Sequence, residues 1–330
     1  MLDSGVDDML MICGEALLDV FQREETRTGL MLDARVGGSP FNLAVGLARL
    51  GQPAALFTAI STGFAGERLM RTLMLEGVDT TAIARTPAPT TLSLVGVDAR
   101  GVPSYAFYGE GCADRAVSAD HLALVPSPLR LLHVGSYATV VEPTASTQRA
   151  LIERVLARGA NADGSPLIAY DPNIRLNVEP DLARWRDQFD WMLPRTDLLK
   201  ISDEDLDLLL PGIAIEGFFE RALKAGVRLV VVTQGAKGAT GANALGRVSI
   251  DPVPVPVVDT VGAGDTFQAA LITWLAERDG LRPSALSTLT RESLAAALAF
   301  AARAAAITCS RQGADMPRRD ELPPAPSNLR

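Results

Sequence analysis

Few residues in this sequence could form disulfide bonds or bind a transition metal. Its 330 residues include only three cysteines and two histidines. Cys13, Cys112 and Cys309 lie far apart and are odd in number, which predicts reduced thiols, buried as small hydrophobic groups, in a cytoplasmic protein. With so few histidines and no cluster of cysteines, a His/Cys metal site is not expected. We expect His133, inside an apolar run, to be a hydrogen-bonded core residue.

An excess of positive charge is also lacking. The net charge is −8 at pH 7 and no basic stripe runs along the chain, which argues against a nucleic-acid-binding surface. The apolar run at residues 9–13 is too short for a signal peptide or a membrane anchor. A polyanionic substrate must therefore meet positive charge at individual side chains, and Lys237 is one candidate for that role.

Two common nucleotide-binding motifs are missing as well. The chain contains no Gly-x-x-x-x-Gly-Lys-Ser/Thr sequence, which excludes a P-loop. The first predicted βα unit has no Gly-x-Gly-x-x-Gly sequence. Its absence argues against a dinucleotide-binding Rossmann domain and therefore against a nicotinamide oxidoreductase.

The apolar patterning that is present predicts a single α/β domain over residues 1–330. Buried strands are predicted at residues 9–13, 54–60, 131–134, 167–170, 198–202 and 229–233. Helices are predicted at residues 39–50, 66–76, 143–158 and 291–307, and from Asp181 onward. Ser39 is expected to cap the first helix, with Pro40 at its first position. Residues 92–97 and 103–108 are predicted to form a hairpin around the turn at 98–101.

The most informative stretch is the junction at residues 257–267. An alternating Val/Pro run at residues 251–258 predicts a strand, and residues 267–275 predict a helix. The glycines between them leave the first N–H groups of the helix uncovered, which together with the helix dipole suits a phosphoryl group. Asp265 could take a proton from an attacking hydroxyl group. The alternative interpretation is an ordinary loop followed by a capping aspartate.

Two segments resemble the signatures of one enzyme family. DTVGAGDTF at residues 259–267 is similar to the C-terminal signature of the ribokinase-like (pfkB-type) carbohydrate kinases, and GGSPFNLA at residues 37–44 is similar to their N-terminal signature. The resemblance implies a ribokinase-like three-layer α/β/α fold with a mainly parallel central sheet. It also implies a small β lid, formed by segments at about residues 14–36 and 90–111.

The family resemblance assigns roles to individual residues. It implies that Asp265 is the catalytic base and that the N–H groups around Gly262, Ala263 and Gly264 hold the developing negative charge. The residues that would contact the sugar are Asp19, Gly37, Gly38, Asn42, Phe107, Asn173 and Arg175. For Phe107 two interpretations stay open, because its ring could cover a sugar face or simply pack within the lid.

The same resemblance implies a nucleotide site lined by Ser202, Thr233, Gly235 and Gly238. ATP and Mg²⁺ are the expected cofactors, and a monovalent cation such as K⁺ beside Asp259 is left open. Where the wider family has Asn-x-x-Glu, this chain has Ser202 and Asp205, so Asp205 is expected to act on Mg²⁺ through water. Asp205 could otherwise be a first-turn acid that the helix dipole favours.

The function implied is transfer of the γ-phosphoryl group of ATP to a primary hydroxyl group of a small sugar. Fructose is favoured because DPNIR at residues 171–175, SDED at 202–205 and GADMP at 313–317 resemble fructokinases. The alternatives are 2-keto-3-deoxygluconate, whose carboxylate Arg175 could bind, and a non-catalytic family member that binds a sugar or nucleotide. The expected partners are a sugar and ATP, with no nucleic acid and no membrane. A homodimer through the lid is expected, since open strand edges favour pairing.

Overall fold

The structure is a computed structural model that describes residues 9–97, 103–157 and 165–324. Its strands in chain order are β1 (Leu10–Cys13), β2 (Leu17–Thr26), β3 (Gly29–Gly37), β4 (Ala54–Ser61), β5 (Ile83–Thr86), β6 (Leu92–Val97), β7 (Pro103–Tyr108), β8 (Leu131–Gly135), β9 (Leu167–Asp171), β10 (Leu198–Ser202), β11 (Leu229–Thr233), β12 (Ala239–Asn243) and β13 (Gly246–Ile250). Its helices are α1 (Ser39–Arg49), α2 (Phe64–Leu75), α3 (Thr144–Leu156), α4 (Leu182–Met192), α5 (Asp203–Leu209), α6 (Ile215–Ala225), α7 (Ala263–Ala276), α8 (Pro283–Thr288) and α9 (Arg291–Cys309).

A nine-stranded sheet in the order β13-β12-β11-β10-β9-β8-β1-β4-β5 forms the centre of the described residues. Its strands from β11 to β5 pair in parallel, and β12 and β13 are antiparallel additions at one edge. Short apolar runs such as β1 and β8 are buried on both faces, as expected for strands that helices cover on two sides.

Two hydrophobic cores lie on opposite faces of this sheet. One core contains side chains of α1, α2, α7 and α9, and the other contains side chains of α3, α4, α5 and α6. Alternate residues of β1 enter the two cores, Leu10 and Ile12 the first and Met11 and Cys13 the second. The arrangement confirms the predicted three-layer α/β/α fold.

A separate four-stranded sheet in the order β3-β2-β6-β7 forms the lid. The predicted hairpin is confirmed, because β6 and β7 pair antiparallel with Leu92 opposite Tyr108. Its turn at residues 98–101 lies outside the described residues. β2 pairs in parallel with β6 and antiparallel with β3, and β3 and β7 are the two edge strands of this sheet.

The prediction of a strand at residues 251–258 is wrong. The last strand ends at Ile250, and residues 251–258 have no regular secondary structure. The prolines at 252, 254 and 256 supply no N–H donors to a sheet, so an alternating apolar pattern cannot be completed by pairing here. The helix that follows begins at Ala263, ahead of the apolar run at residues 267–275, and Asp265 lies in its first turn.

The three cysteines are free thiols, as predicted. Cys13 and Cys112 are buried, whereas Cys309 is only half-buried, so the expectation of burial is wrong for this residue. Cys309 ends α9, which within the described residues is the one helix long and apolar enough to cross a membrane. α9 packs against α7 and β13, and its buried side chains belong to the first core. It is therefore a helix of the hydrophobic core.

Candidate active site

Two cavities meet at the turn formed by Thr260, Val261, Gly262 and Ala263, which we call the glycine turn. Val261 and Gly262 line a cavity of about 420 Å³ beside the lid. Thr260 and Ala263 line a second cavity of about 530 Å³. The turn is thus a shared wall, and a group held by it is within reach of ligands on both sides.

The conformation of the turn depends on glycine at position 262. Gly262 has φ +76°, and a β-carbon built on it would lie 2.5 Å from Cβ of Ala314. The N–H of Ala263 donates to the carbonyl of Thr260 at 3.2 Å, which closes the turn. Among the described residues the N–H groups of Gly262 and Gly264 have no hydrogen-bond partner. These two amides, at the positive end of α7, are the donors that could bind an anion.

Asp265, in the first turn of α7, is held by two side chains of α1. The hydroxyl of Ser39 donates to its Oδ1 at 2.6 Å, and Nδ2 of Asn42 donates to its Oδ2 at 2.9 Å. All three residues line the first cavity. The helix cap predicted for Ser39 is wrong, because Gly38 occupies that position and the Ser39 hydroxyl binds Asp265 instead. An ionised carboxylate so oriented can accept a proton from a hydroxyl group in the cavity.

The first cavity contains most of the residues predicted to bind a sugar. Asp19, Gly38, Asn42, Phe107 and Arg175 line its wall. Two other residues predicted for this site, Gly37 and Asn173, are not part of the wall. The backbone of Gly37 packs on Asp19, since a β-carbon at position 37 would lie 2.3 Å from Oδ2 of Asp19.

Phe107 both lines the cavity and packs within the protein. Its ring meets Tyr137 edge-on, with centroids 5.4 Å apart, and the guanidinium of Arg115 lies 5.2 Å from the Phe107 centroid. Tyr137, which sequence reasoning missed, also lines the cavity and donates its hydroxyl to Oδ2 of Asp114 at 2.6 Å. These contacts connect the lid strand β7 to the base of the cavity.

A second missed residue, Glu15, lies at the bottom of the same cavity. It is 2% exposed, and Oε2 has no hydrogen-bond partner among the described residues. Burial raises the pKa of Glu15 to about 8, so much of this carboxyl group is neutral at pH 7. The position just after a buried strand was the available signal, because strand ends in parallel sheets border ligand crevices.

The second cavity is lined mainly by apolar groups. It brings together Thr233, Gly235 and Gly238, three of the residues predicted to contact a nucleotide. Ser202 does not line it, and its hydroxyl instead caps α5 by accepting the N–H of Asp205 at 3.0 Å. The residues that form the apolar wall are Pro252, Val253, Pro254, Val255, Val257, Phe267, Ala302, Ala305 and Ala306. The Val/Pro run mistaken for a strand is therefore part of a cavity wall.

Comparison with known proteins identifies the family. The profile of the pfkB family carbohydrate kinases matches residues 7–320. The chain belongs to this family. It is 35% identical over 286 residues to a fructokinase of Rhizobium leguminosarum bv. trifolii, a match that covers 87% of this chain and 85% of the relative.

Solved fructokinase structures share the fold of this pfkB kinase. The structure of the Xylella fastidiosa fructokinase with bound ATP aligns with a TM-score of 0.83 at 25% identity, covering 96% of this chain and 97% of that one. The Vibrio cholerae O395 fructokinase, in a form that binds fructose, ADP and calcium ion, aligns with a TM-score of 0.75 at 25% identity. That alignment covers 93% of this chain and 94% of the other.

The residues of this kinase fit a magnesium ion that is held mainly by substrate phosphates and water. Within the described residues no group of three or more His, Cys, Asp or Glu side chains is arranged to hold a metal ion. Mg²⁺ needs only one or two carboxylates when phosphates and water complete its shell. Asp205 is buried at the start of α5, where its Oδ1 accepts the N–H of Ile174 at 3.1 Å. It lines neither cavity, so only an indirect role through water suits it.

Lys237, which the sequence predicts as a source of positive charge at the site, is exposed and lines neither cavity. A buried lysine, Lys200, lies below the first turn of α7. The prediction for His133 is also wrong in part, because the ring is buried but neither nitrogen has a hydrogen-bond partner among the described residues. Burial, helped by the charge of Lys200, lowers the pKa of His133 to about 3.

Proposed function

We propose that this carbohydrate kinase transfers the γ-phosphoryl group of ATP to a primary hydroxyl group of fructose. The observation that carries the proposal is the position of Asp265, which lines the first cavity next to the glycine turn and is oriented by Ser39 and Asn42. The second cavity lies on the other side of that turn. The sugar would bind in the first cavity and ATP in the second.

In the proposed reaction Asp265 accepts the proton of the sugar hydroxyl as its oxygen bonds to the γ-phosphorus. The bond from that phosphorus to the β,γ-bridging oxygen breaks, and ADP leaves. The free amides of Gly262 and Gly264 donate to the transferring group, whose negative charge they stabilise. Bound Mg²⁺ would neutralise charge on the ATP phosphates. Phe107 and the other lid residues would exclude water from the sugar.

The charges in the first cavity support a neutral sugar over an anionic one. Its wall contains the carboxyl groups of Glu15, Asp19 and Asp265 and a single guanidinium, that of Arg175. Even with Glu15 protonated, two carboxylates face one cation, so the carboxylate of 2-keto-3-deoxygluconate would be repelled. A cavity of about 420 Å³ falls within the usual range of about 300–1,000 Å³ for small-molecule sites. The fructokinase relatives support fructose as well.

An ADP-release assay with Mg-ATP tests this proposal. Fructose, 2-keto-3-deoxygluconate, ribose and adenosine are compared at equal concentrations, with Asp265→Asn as the inactive control. We expect the highest kcat/KM with fructose. A higher value with 2-keto-3-deoxygluconate would contradict the charge argument, and sugar binding without ADP release from any acceptor would favour the non-catalytic alternative.

Cys309 offers an independent test of the nucleotide site. It lines the second cavity and is half-buried, whereas Cys13 and Cys112 are buried. In the native protein N-ethylmaleimide should therefore modify Cys309 first, and ATP should slow the modification while fructose alone should not. Mass spectrometry measures the rate at which Cys309 is modified. Equal rates with and without ATP would argue against nucleotide binding in this cavity.

The exposed apolar side chains of the edge strand β3 support the expected homodimer through the lid. Leu30, Met31 and Leu32 of β3 are 57%, 53% and 50% exposed, and β3 is an edge strand of its sheet. We propose that a second copy of the chain covers this edge.

We also propose a cytoplasmic location, which the soluble fold and the free thiols support. A K⁺ ion beside Asp259 stays a prediction, and both oxygens of that carboxylate already accept backbone N–H groups.

A further inference from the structure

A buried ion pair lies beneath the glycine turn. Lys200, in the middle of β10, and Asp171, at the end of the neighbouring β9, are 2.8 Å apart between Nζ and Oδ2. They are 5% and 3% exposed. A β-carbon built on Gly264 would lie 3.2 Å from Nζ of Lys200. The amine therefore reaches the underside of the helical turn that carries the free amides and Asp265.

The lysine carries its positive charge at neutral pH. Burial alone would lower the pKa of Lys200, but the negative charges of Asp171, Asp265 and Asp205 outweigh this effect and raise it. A buried charge is screened much less by salt and water than one at the surface. In a chain with a net charge of −8, Lys200 places a positive charge next to Gly264.

Asp171 offsets the cost of burying the charge of Lys200, but one of its own carboxylate oxygens is left without a partner. An ammonium group beneath the positive end of a helix is unfavourable by itself, and burial adds to the cost. Asp171 compensates through Oδ2, while its Oδ1 is buried with no hydrogen-bond partner among the described residues. A pair with an unsatisfied oxygen is a poor way to stabilise a fold, so its position under the turn calls for another explanation.

We propose that Lys200 is a positioning residue for phosphoryl transfer, whose buried charge attracts the transferring group onto the glycine turn, with Asp171 holding the amine against Gly264. The inference rests on the proposed function, because it takes the γ-phosphoryl group to bind at this turn. Gly264 has a second purpose in this scheme, since a side chain there would contact the amine.

Replacing both members of the pair tests the inference with little loss of stability. Asp171→Asn/Lys200→Met leaves no unpaired buried charge, so we expect it to fold, unlike the single variant Lys200→Met. We expect kcat to fall roughly hundredfold, as when one donor to a developing anion is removed. KM for fructose should stay within about threefold of wild type. Calorimetry should show a loss of affinity that grows from AMP to ADP to a non-hydrolysable ATP analogue.

The controls separate the possible outcomes. Asp171→Asn/Lys200→Gln keeps a hydrogen bond between the two side chains and carries the same test if the methionine variant does not fold. Asp197→Asn removes a buried carboxylate just before the amino end of β10 and should leave kcat unchanged. A folded double variant with kcat within about threefold of wild type, or equal losses of affinity for AMP and the ATP analogue, would overturn the inference. If the wild type itself releases no ADP, the proposed function has failed instead.

Discussion

The central sheet and the lid sheet are built from similar strands but have very different surroundings. The residues of β1, β4 and β8 are all buried, whereas β3 is exposed over most of its length. β2 changes along its length from buried at Leu17 to exposed at Glu25. Asp265, which we propose as the base, and the free amides belong to the helix layer on the buried sheet, while Asp19 and Phe107 belong to the lid. In the proposed function the more buried part would therefore carry the chemistry, and the less buried part would enclose the substrate.

The largest effect is expected at Asp265, the residue of the more buried part that we propose for proton transfer. Asp265→Asn should reduce kcat about 10³- to 10⁴-fold, because general-base catalysis contributes up to about that much. The unfolding temperature should change little, since asparagine can keep hydrogen bonds to Ser39 and Asn42. Glu204→Gln, on the exposed side of α5, is the matched control and should be fully active. Near-wild-type kcat in Asp265→Asn would reject the base assignment.

The two sheets should also differ in how much a substitution lowers the free energy of unfolding. Ile12→Ala removes a fully buried side chain of β1 and should lower the free energy of unfolding by about 2–5 kcal/mol. Leu32→Ala, on the exposed β3, should change it by no more than about 0.5 kcal/mol in the monomer. Urea denaturation at low protein concentration measures both. Equal losses would mean that the lid is as firmly packed as the core.

A smaller effect, on substrate binding, is expected in the lid. Asp19→Asn keeps the shape of a side chain that lines the sugar cavity but removes the charge that strengthens its hydrogen bonds. KM for fructose should rise about tenfold or more, with KM for ATP unchanged. Steady-state kinetics with each substrate varied in turn would show this. An equal rise in both KM values would place the effect on the whole fold instead of on the lid.

A dependence of stability on pH should come from Glu15, where the two parts meet. Burial raises its pKa from 4.5 to about 8. Between these values the unfolded chain loses the proton and the folded protein keeps it, so this group lowers the free energy of unfolding as pH rises. In Glu15→Gln that decline should be weaker between pH 5 and about pH 8, as measured by urea denaturation at each pH. An unchanged slope would contradict the burial argument.

Sequence reasoning predicted what depends on local pattern. The bounds of β10 and β11 and of both lid strands β6 and β7 agree with the predicted segments, because short apolar or alternating runs have few other structures. The same reasoning failed at residues 251–258, where alternation was real but the prolines prevented pairing.

The missed parts of the site depend on contacts between distant segments. Ser39 binds Asp265, 226 residues away, and a helix-start pattern contains no information about that partner. In the sequence Lys200 only interrupts the apolar run of β10. Its contacts with Asp171 and its position below Gly264 are visible only in the folded structure. The family signatures pointed to Asp265 and the glycine turn because those residues are close in sequence, and the role of Asp265 as the base stays a prediction.

The glycine turn has a consequence for the order of events. In the proposed arrangement the acceptor and the nucleotide lie on opposite sides of this turn, so the phosphoryl group can pass directly from one ligand to the other. Both substrates must then be bound at the same time. Double-reciprocal plots of initial velocity should therefore intersect instead of running parallel. A single displacement also inverts the configuration at phosphorus. A chiral thiophosphoryl group should therefore be transferred to the sugar with inverted configuration.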